Sequence, residues 1–477
     1  MRSRLHHGAA LALCAVALAA PTLVIAQGAT PSPVAASPGA ASVATVVASK
    51  PAVVLGFAQA FDAALGNDAQ LRAARYERES TQGSVPIARA ALLPTVTMSV
   101  TDAINKGRRE FPNSLNQQVT TNIDYAAPQA SLQMRAPLFN WESISRYRQA
   151  LVQSDAADAV FRVRGADLVD RLTLAYLQRL LASENISLAQ TQILALEGQQ
   201  LRAEQRLQRG EGTRIELAET QAQLEVARVR LVEAKDQVTV ARRSLARITG
   251  LDVDVVRDMP ARFRPPAMVP QRLDDWLSLA NARNPSVQAR TQQVEIARMA
   301  IERNRAGHYP RLDAVASLAR SSNESIANLN QSSKIASVGL QLNVPIFAGF
   351  GVQASVNQSQ SDLAKAEADL SNERENVALE VHKQYLAVSN GQPKIESQER
   401  AVAAMEVALD GITRGVGAGL RTLADVLDAQ SKVFSARHDL AQARYDYLLA
   451  RTRLQAQSGA PLAEIVFDIE QLLAVTP

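Results

Sequence analysis

The feature that most constrains this chain is an internal repeat. Landmark residues of unlike type recur at one constant offset of 209 positions, which chance similarity between two alanine-rich helices would not produce. The chain therefore predicts two copies of one structural unit, the first over 54–260 and the second over 261–465, with a tail at 466–477. The landmark pairs are Tyr176 with Tyr385, Thr213 with Thr422, Gln221 with Gln430, and Gly250 with Gly459.

Two stretches of each copy alternate between apolar and polar residues, as a β-strand with two different faces does. The clearest alternation runs over 337–344, and others occur at 96–100, 130–136 and, more weakly, 311–319. Such strands could form a half-buried sheet in an ordinary domain. Each segment, however, has roughly the ten residues that a tilted outer-membrane strand needs, so we expect four transmembrane strands per chain.

Long helical segments follow the strands in both copies. Residues 141–209 contain few helix-breaking residues and would extend about 100 Å at roughly 1.5 Å per residue. In the second copy, 352–414 is interrupted at 391–393, where Gly-Gln-Pro predicts a kink rather than an end. The returning segments carry large apolar residues every seven positions, with alanine prominent three places on, which is typical of a coiled-coil seam. The large residues are Leu217, Leu224, Leu231, Val238 and Leu245, then Val426, Val433, Leu440, Tyr447 and Leu454.

Four strands are too few to close a barrel, because small barrels need about eight. Three copies of the chain would supply twelve strands, an even number as in most outer-membrane barrels. The residues therefore indicate a mixed α and transmembrane β fold class. Its barrel would be complete only in a trimer and would continue into helical coiled coil.

The start of the chain has the pattern of a secretory signal, with two arginines ahead of an apolar run at 9–20. We expect a signal peptide at 1–26 and a disordered leader, rich in Ala, Pro and Ser, at 27–53. The lone cysteine, Cys14, lies inside the signal. The exported chain is therefore expected to lack a disulfide or a thiolate site.

Charge and histidine placement argue against several function classes. The net charge of +4 falls to +2 when the two arginines of the signal are removed, which does not favour nucleic-acid binding. Beyond the signal, His308, His382 and His438 are isolated and lack metal-ligand spacing. No nucleophile motif occurs either. We expect no enzyme, no cofactor, no metal site and no nucleic-acid partner.

The arrangement resembles the TolC-type family of outer-membrane efflux and secretion proteins over about residues 54–465. Residues 419–430, Gly-Leu-Arg-Thr-Leu-Ala-Asp-Val-Leu-Asp-Ala-Gln, are similar to the family's second inner-hairpin turn. Residues 441–448 are similar to its returning helix, and 212–221 give a looser match in the first copy. The resemblance implies a homotrimeric 12-stranded β-barrel, continued by a long α-helical coiled-coil tunnel through the periplasm.

The resemblance also implies partners and cargo. The partners would be a periplasmic adaptor, an inner-membrane ABC exporter or proton-driven pump, and outer-membrane lipid. Type I protein secretion and small-molecule efflux both use such ducts, and this chain looks closer to the type I secretion branch, which exports cargo such as a cyclolysin-type toxin. The competing interpretation is a periplasmic coiled-coil adaptor or scaffold without a channel, which the four alternating strands disfavour.

Acidic residues follow the hairpin turns of both copies. By spacing alone, Asp425 and Asp428 are solvated carboxylates favoured near a helix N-terminus. The resemblance instead assigns them to the tunnel's narrowest point, as an acidic ring that selects cations and can be blocked by multivalent ones. Glu216 and Glu219 occupy the equivalent positions of the first copy. Arg421 matches an arginine that ties the family's hairpins together, so a Glu216–Arg421 ion pair is expected to help close the gate.

The two hairpin turns match the family's adaptor-contact segments. Glycine there also has a simpler explanation, since tight turns need positive φ. A phosphate loop is disfavoured because these glycines follow a helix rather than a strand. Val416 stands where the family has a gating tyrosine. The expected adaptor-contact residues are Gly210, Gly212, Thr213, Gly417, Gly419, Leu420 and Thr422.

Overall fold

The structure is a computed structural model that describes residues 54–474, apart from 113, 258, 261, 262, 265, 326 and 327. The expected signal peptide at 1–26 and leader at 27–53 lie outside the described residues.

The first repeat contains a short helical segment, four strands and a long helical hairpin. Its elements are α1 Phe57–Asn67, α2 Ala69–Gln82, α3 Ser84–Ala90, β1 Thr95–Thr101, β2 Ile104–Pro112, β3 Gln118–Ala126, β4 Gln129–Phe139, α4 Trp141–Gln208 and α5 Arg214–Thr249.

The second repeat follows the same plan with two strands and adds a helix at the end. Its elements are α6 Leu273–Arg283, α7 Pro285–Arg305, one 3-10 turn Ala306–His308, β5 Arg311–Ser325, β6 Asn328–Asn343, α8 Gly351–Gly417, α9 Leu423–Gln457 and α10 Leu462–Leu473.

Two tyrosines show that the duplication extends to individual contacts. The Tyr176 hydroxyl donates to the backbone carbonyl of Leu55 at 2.9 Å. The equivalent Tyr385 hydroxyl donates to the carbonyl of Gln271 at 2.8 Å. In each repeat, therefore, the long helix holds the chain segment that leads into the opening helix, as expected for two copies of one unit.

The expected four-stranded sheet is present, with strand order β1-β4-β5-β6 and antiparallel pairing throughout. A second hairpin, β2 with β3, lies between β1 and β4 in sequence and was not predicted. The reason is compositional: β2 reads Ile-Asn-Lys-Gly-Arg-Arg-Glu-Phe-Pro and has no alternating apolar face. Strand pairing, rather than side-chain burial, defines this hairpin.

One face of the four-stranded sheet is apolar and exposed. The register places Met98 opposite Leu132, and Leu132 in turn opposite Leu318. Met98 is 72% exposed and Val338, in β6, is 88% exposed. The other face is polar, with hydroxyl contacts such as that between Ser317 and Ser337 at 2.7 Å. Exposed apolar side chains in this number mark an interaction surface for protein or membrane.

The long helices are continuous. Helix α4 has 68 residues and α8 has 67, which correspond to about 100 Å each. Pro393 lies inside α8, so the helix does not end at the predicted interruption. A Cβ atom at Gly391 would lie 2.7 Å from Cδ2 of Tyr447, so the glycine allows α8 and α9 to pack closely. Among the described helices, none has the length and hydropathy needed to cross a membrane.

The seven-residue seams are buried or half-buried as expected. Leu224 and Leu245 are buried in α5, and Val433 and Leu454 in α9. Their alanine neighbours, such as Ala227, are buried too, which lets the helices of each hairpin approach closely.

The main hydrophobic core lies where the long helices meet the short ones. Tyr176 and Leu172 of α4 are fully buried there with Ile465 and Leu473 of α10. The predicted boundary between the second repeat and a tail, at 465, therefore falls inside a packed helix. Ile465, Ile469 and Leu473 of α10 are spaced four residues apart and are buried together with Val466, which explains why this segment folds against the core.

Candidate functional site at the hairpin ends

The turn of the first hairpin is closed by backbone hydrogen bonds. The amides of Glu211 and Gly212 both donate to the carbonyl of Arg206, at 2.9 and 3.1 Å. Gly210 has φ +76, a left-handed conformation that favours glycine. A Cβ atom at Gly212 would lie 3.1 Å from the Leu207 amide nitrogen, so a larger residue would crowd the turn.

The turn of the second hairpin has the same geometry 209 residues later. Gly419 has φ +72, and the Leu420 amide donates to the carbonyl of Gly415 at 2.9 Å. Arg421 takes the place of Gly212, and its aliphatic stem crosses Gly415, where an added Cβ would lie 3.0 Å from Arg421 Cγ. The two turns share a backbone but present different side chains.

Both returning helices begin with a reciprocal cap. In α5, the Glu216 amide donates to the Thr213 hydroxyl at 3.1 Å, and the Glu216 carboxylate accepts from the Thr213 amide at 3.2 Å. In α9, the Asp425 amide donates to the Thr422 hydroxyl at 3.3 Å, and its carboxylate accepts from the Thr422 amide at 2.9 Å. These caps stop the helix starts from fraying.

The caps give two expected gate acids a structural role that the sequence analysis missed. The sequence pattern that predicts such a cap, Thr followed three residues later by Glu or Asp, is present in both copies. Hydrogen bonds from the Thr422 amide and hydroxyl, helped by the nearby charge of Arg421, lower the pKa of Asp425 below its ordinary value. Asp425 therefore stays ionised at neutral pH.

The next acid along each returning helix has a different environment in the two repeats. Asp428 pairs with Lys432, with 2.7 Å between Oδ2 and Nζ. Glu219 is exposed on α5, and in the described part of the chain no ion pair involves it. The two acidic positions are therefore not equivalent in charge.

The expected Glu216–Arg421 ion pair does not form within one chain across the described residues. The Glu216 carboxylate is held by its own cap, and Arg421 lies against Gly415. Between neighbouring protomers, the Glu216–Arg421 ion pair stays a prediction.

A small apolar cluster ties the two hairpins together near their ends. Leu423 and Val426 of α9 and Ala203 of α4 are buried in it. Val416, at the expected gating-tyrosine position, packs against the same cluster. Beyond this cluster, Leu420 and Ile215 are 80% and 69% exposed. The extreme end of the hairpins thus presents apolar side chains to the surroundings.

Over the described residues, no group of three or more His, Cys, Asp or Glu side chains could hold a metal ion. Any cation attraction by Asp425 and Asp428 would therefore come from the field of several chains rather than from a coordination site in one chain.

The long paired hairpins, joined to a sheet with one exposed apolar face, define an outer-membrane channel-tunnel protein. The family model described as outer membrane efflux protein matches residues 60–251 and 276–460, and the chain belongs to that family. Its members are channel proteins of the outer membrane rather than enzymes. They work with periplasmic adaptors and inner-membrane pumps. The alternative of an adaptor or scaffold without a channel is thereby excluded.

Two curated relatives are similar over most of their length. The proteases secretion protein PrtF of Dickeya chrysanthemi is 33% identical over 412 residues, covering 86% of this chain and 89% of the relative. The alkaline protease secretion protein AprF of Pseudomonas aeruginosa is 32% identical over 415 residues, covering 86% and 85%. Among solved structures, the Campylobacter jejuni CmeC outer-membrane channel has a TM-score of 0.74 at 16% identity, covering 87% of this chain and 89% of that one.

Proposed function

We propose that this chain is the outer-membrane duct of a type I secretion system, and that its cargo is a protein. The observation that carries the proposal is the similarity, over most of both chains, to two relatives that are named for protease secretion. Small-molecule efflux is the second candidate, because the family description itself refers to efflux.

The proposed working form is a homotrimer. In the described chain, β1 and β6 are the two edges of the four-stranded sheet, and an exposed edge offers unpaired backbone groups to another strand. Three sheets joined edge to edge would give twelve strands and remove every edge. The exposed apolar face would then form a continuous band against lipid.

The proposed gate lies at the hairpin ends, at Asp425 and Asp428 with Glu216, Glu219 and Arg421. Support comes from the position of all five residues within three turns of a hairpin loop and from the ionised state of Asp425. Carboxylates from three chains in a narrow passage would attract cations and slow their exit. Arg421 would contribute by bridging neighbouring hairpins.

The proposed adaptor contact is the exposed turn of each hairpin. It comprises Gly210, Gly212 and Thr213 in the first repeat, and Gly417, Gly419, Leu420 and Thr422 in the second. Exposed Leu420 offers an apolar anchor, and the glycines leave backbone groups accessible. The pump behind the adaptor would be an ABC exporter if the cargo is a protein, or a proton-driven pump if it is a drug.

The cargo is tested by deleting the gene from its own bacterium and restoring it from a plasmid. We expect one or more proteins to disappear from the culture medium and to return with the plasmid, while sensitivity to a panel of antibiotics and detergents stays the same. An unchanged set of secreted proteins together with increased drug sensitivity would instead make the chain an efflux duct.

The gate is tested on purified protein in planar bilayers. Arg421→Ala should raise the resting conductance, because a link between hairpins is lost. The matched control is Arg414→Ala, which also removes an exposed arginine near the turn, one that pairs with Asp410 at 2.5 Å within the same helix. Equal conductance of the Arg421→Ala variant and the unaltered protein would count against a gating role for Arg421.

A further inference from the structure

The exposed side of α9 near the turn carries three charged residues in line. Asp425, Asp428 and Lys432 are separated by three and four positions, so they share one face of the helix. Between them, Val426 and Ala429 are buried against the other helices. The charge on this face is therefore set by two carboxylates and one ammonium group, which are close enough to interact.

The ammonium group is engaged by only one of the two carboxylates. Lys432 Nζ lies 2.7 Å from Oδ2 of Asp428, and the two side chains are 65% and 64% exposed. A hydrogen bond and the charge of Asp428 raise the pKa of Lys432, so the ammonium group stays charged at neutral pH. Acid preceding base by four positions is the favourable orientation on a helix.

Asp425 keeps its negative charge because, in the described chain, no cationic side chain forms an ion pair with it, although Arg421 is near enough to lower its pKa. Its carboxylate accepts from the amide and the hydroxyl of Thr422, at 2.9 and 3.0 Å. These bonds stabilise the carboxylate without cancelling its charge. Within this stripe, the two acids thus differ: Asp428 has a counter-charge and Asp425 has a neutral cap.

The first repeat lacks the lysine. At the offset of 209, Glu219 corresponds to Asp428 and Gln223 corresponds to Lys432. In the described chain Glu219 has no ion-pair partner, whereas Asp428 does. The two repeats can therefore be compared directly, because the same acidic position has a cationic neighbour in the second repeat and, among the described residues, none in the first.

We propose that Lys432 sets the charge of the constriction by neutralising Asp428, so that Asp425 is the carboxylate that attracts cations there. This inference rests on the proposed gate at the hairpin ends. Asp425, Asp428 and Lys432 of each protomer would then contribute a net charge of about −1 instead of the −2 of the two acids alone, since an ion pair at contact distance has little external field beyond a few ångströms. A trimer would present three effective carboxylates rather than six.

The test is block of single-channel current by Mg²⁺ in planar bilayers, using the full-length trimer. Lys432→Gln gives the second repeat the residue that the first repeat carries, and it should lower the Mg²⁺ concentration for half-block by about threefold or more. Lys432→Arg should keep the block of the unaltered protein. Asp425→Asn should weaken the block, so that the Mg²⁺ concentration for half-block rises by at least the same factor.

The matched control is Lys365→Gln. Lys365 also pairs with an acid on its own helix, Asp369, at 3.2 Å with the same four-residue spacing. It lies in the first quarter of α8, more than fifty residues from the turn, so its loss should leave Mg²⁺ block unchanged. Elution of each variant as a trimer shows that any change does not come from misassembly.

The outcomes separate the two proposals. If Lys432→Gln blocks like the unaltered protein while Asp425→Asn weakens the block, the gate stands and the role of Lys432 is wrong. If neither variant changes the block, or if Mg²⁺ does not block at all, the constriction is not at Asp425 and both proposals fail.

Discussion

The side-chain amide of Asn284 donates to the backbone carbonyl of Gln457 at 2.9 Å. The equivalent residue of the first repeat, Asn67, donates to the carbonyl of Ile248 at 3.3 Å. The last carbonyls of a helix have no partner within the helix, so each asparagine satisfies one of them. The returning helix of each repeat is thereby fastened to the short helices that open the same repeat.

Replacing these asparagines should have unequal effects. Asn284→Ala removes the bond to Gln457 and also a helix cap, because the Asn284 oxygen accepts from the amides of Ser286 and Val287. We expect a loss of about 1–3 kcal/mol. Asn67→Ala removes two longer bonds, to the carbonyls of Arg247 at 3.5 Å and Ile248 at 3.3 Å, but no cap, since Asp68 caps the next helix. It should cost about 1 kcal/mol or less. Thermal unfolding of the trimer in detergent measures both, and a larger loss for Asn67→Ala would contradict this account.

Two glycines of α8 should respond oppositely to alanine. At Gly391 an added Cβ would lie 2.7 Å from Cδ2 of Tyr447, so Gly391→Ala should push α8 away from α9 and destabilise the protein. At Gly411 no atom lies within 4 Å of an added Cβ, so Gly411→Ala should stabilise the helix by up to about 1 kcal/mol. The comparison of their unfolding temperatures checks the close packing of this hairpin.

Asp68 should make part of the stability dependent on acid pH. It is buried and forms two hydrogen bonds with Arg171, at 2.9 and 3.2 Å. Burial alone would raise its pKa, but the bonds from Arg171 and from the Leu71 amide outweigh it, so the pKa is lowered from 3.8. The stabilisation is therefore fully present above about pH 3.8 and is lost as the pH falls through the lower folded value.

The measurement is unfolding in urea at pH values from neutral to below 3.8. Asp68→Asn should lower stability at neutral pH and should show a smaller further loss on acidification than the unaltered protein. Asp62→Asn is the control, as it changes an exposed carboxyl group of the preceding helix. Parallel acid profiles for all three proteins would argue against a contribution from Asp68.

Helix α10 should contribute to stability because Glu470 caps the first helix. Glu470 accepts from the Ala58 amide at 3.0 Å and pairs with Arg257. Glu470→Ala should therefore cost about 1–2 kcal/mol. Glu464→Ala, at an exposed position of the same helix, should change stability little. Equal unfolding temperatures of the two variants would show that this cap is unimportant.

The features of the fold that both repeats share could be predicted well from the sequence, whereas those that occur in only one repeat could not. The strands of the main sheet follow alternation, as in Val338 and Leu340, and the hairpins follow seven-residue spacing. The hairpin of β2 and β3 could not be predicted, because strand pairing leaves no apolar pattern in a charged segment such as β2. Helix α10 could not be predicted from the repeat, because it has no counterpart in the first copy.

At the hairpin ends, the sequence predicted which residues lie there but not what each one contacts. The sequence predicts gate roles for Glu216 and Asp425, and in the structure each also caps its own helix. Lys432 was not noted, because its importance depends on the 2.7 Å contact with Asp428 rather than on any motif. The expected Glu216–Arg421 contact is absent from the described chain because Glu216 caps its own helix and Arg421 lies against Gly415.

The central claim is that the second-repeat hairpins of three chains converge at Asp428 to close a duct. The expected exported chain has no cysteine, so a single introduced cysteine can be cross-linked cleanly. The control position is Asp446, which is exposed on α9 and lies about 27 Å further along that helix. The measurement is treatment of Asp428→Cys and Asp446→Cys trimers with a short, reducible bis-thiol reagent, followed by gel analysis and a secretion assay. We predict covalent dimers at Asp428→Cys but not at Asp446→Cys, with export blocked until the reagent is reduced. No cross-linking at Asp428→Cys, or equal cross-linking at both positions, would contradict the claim.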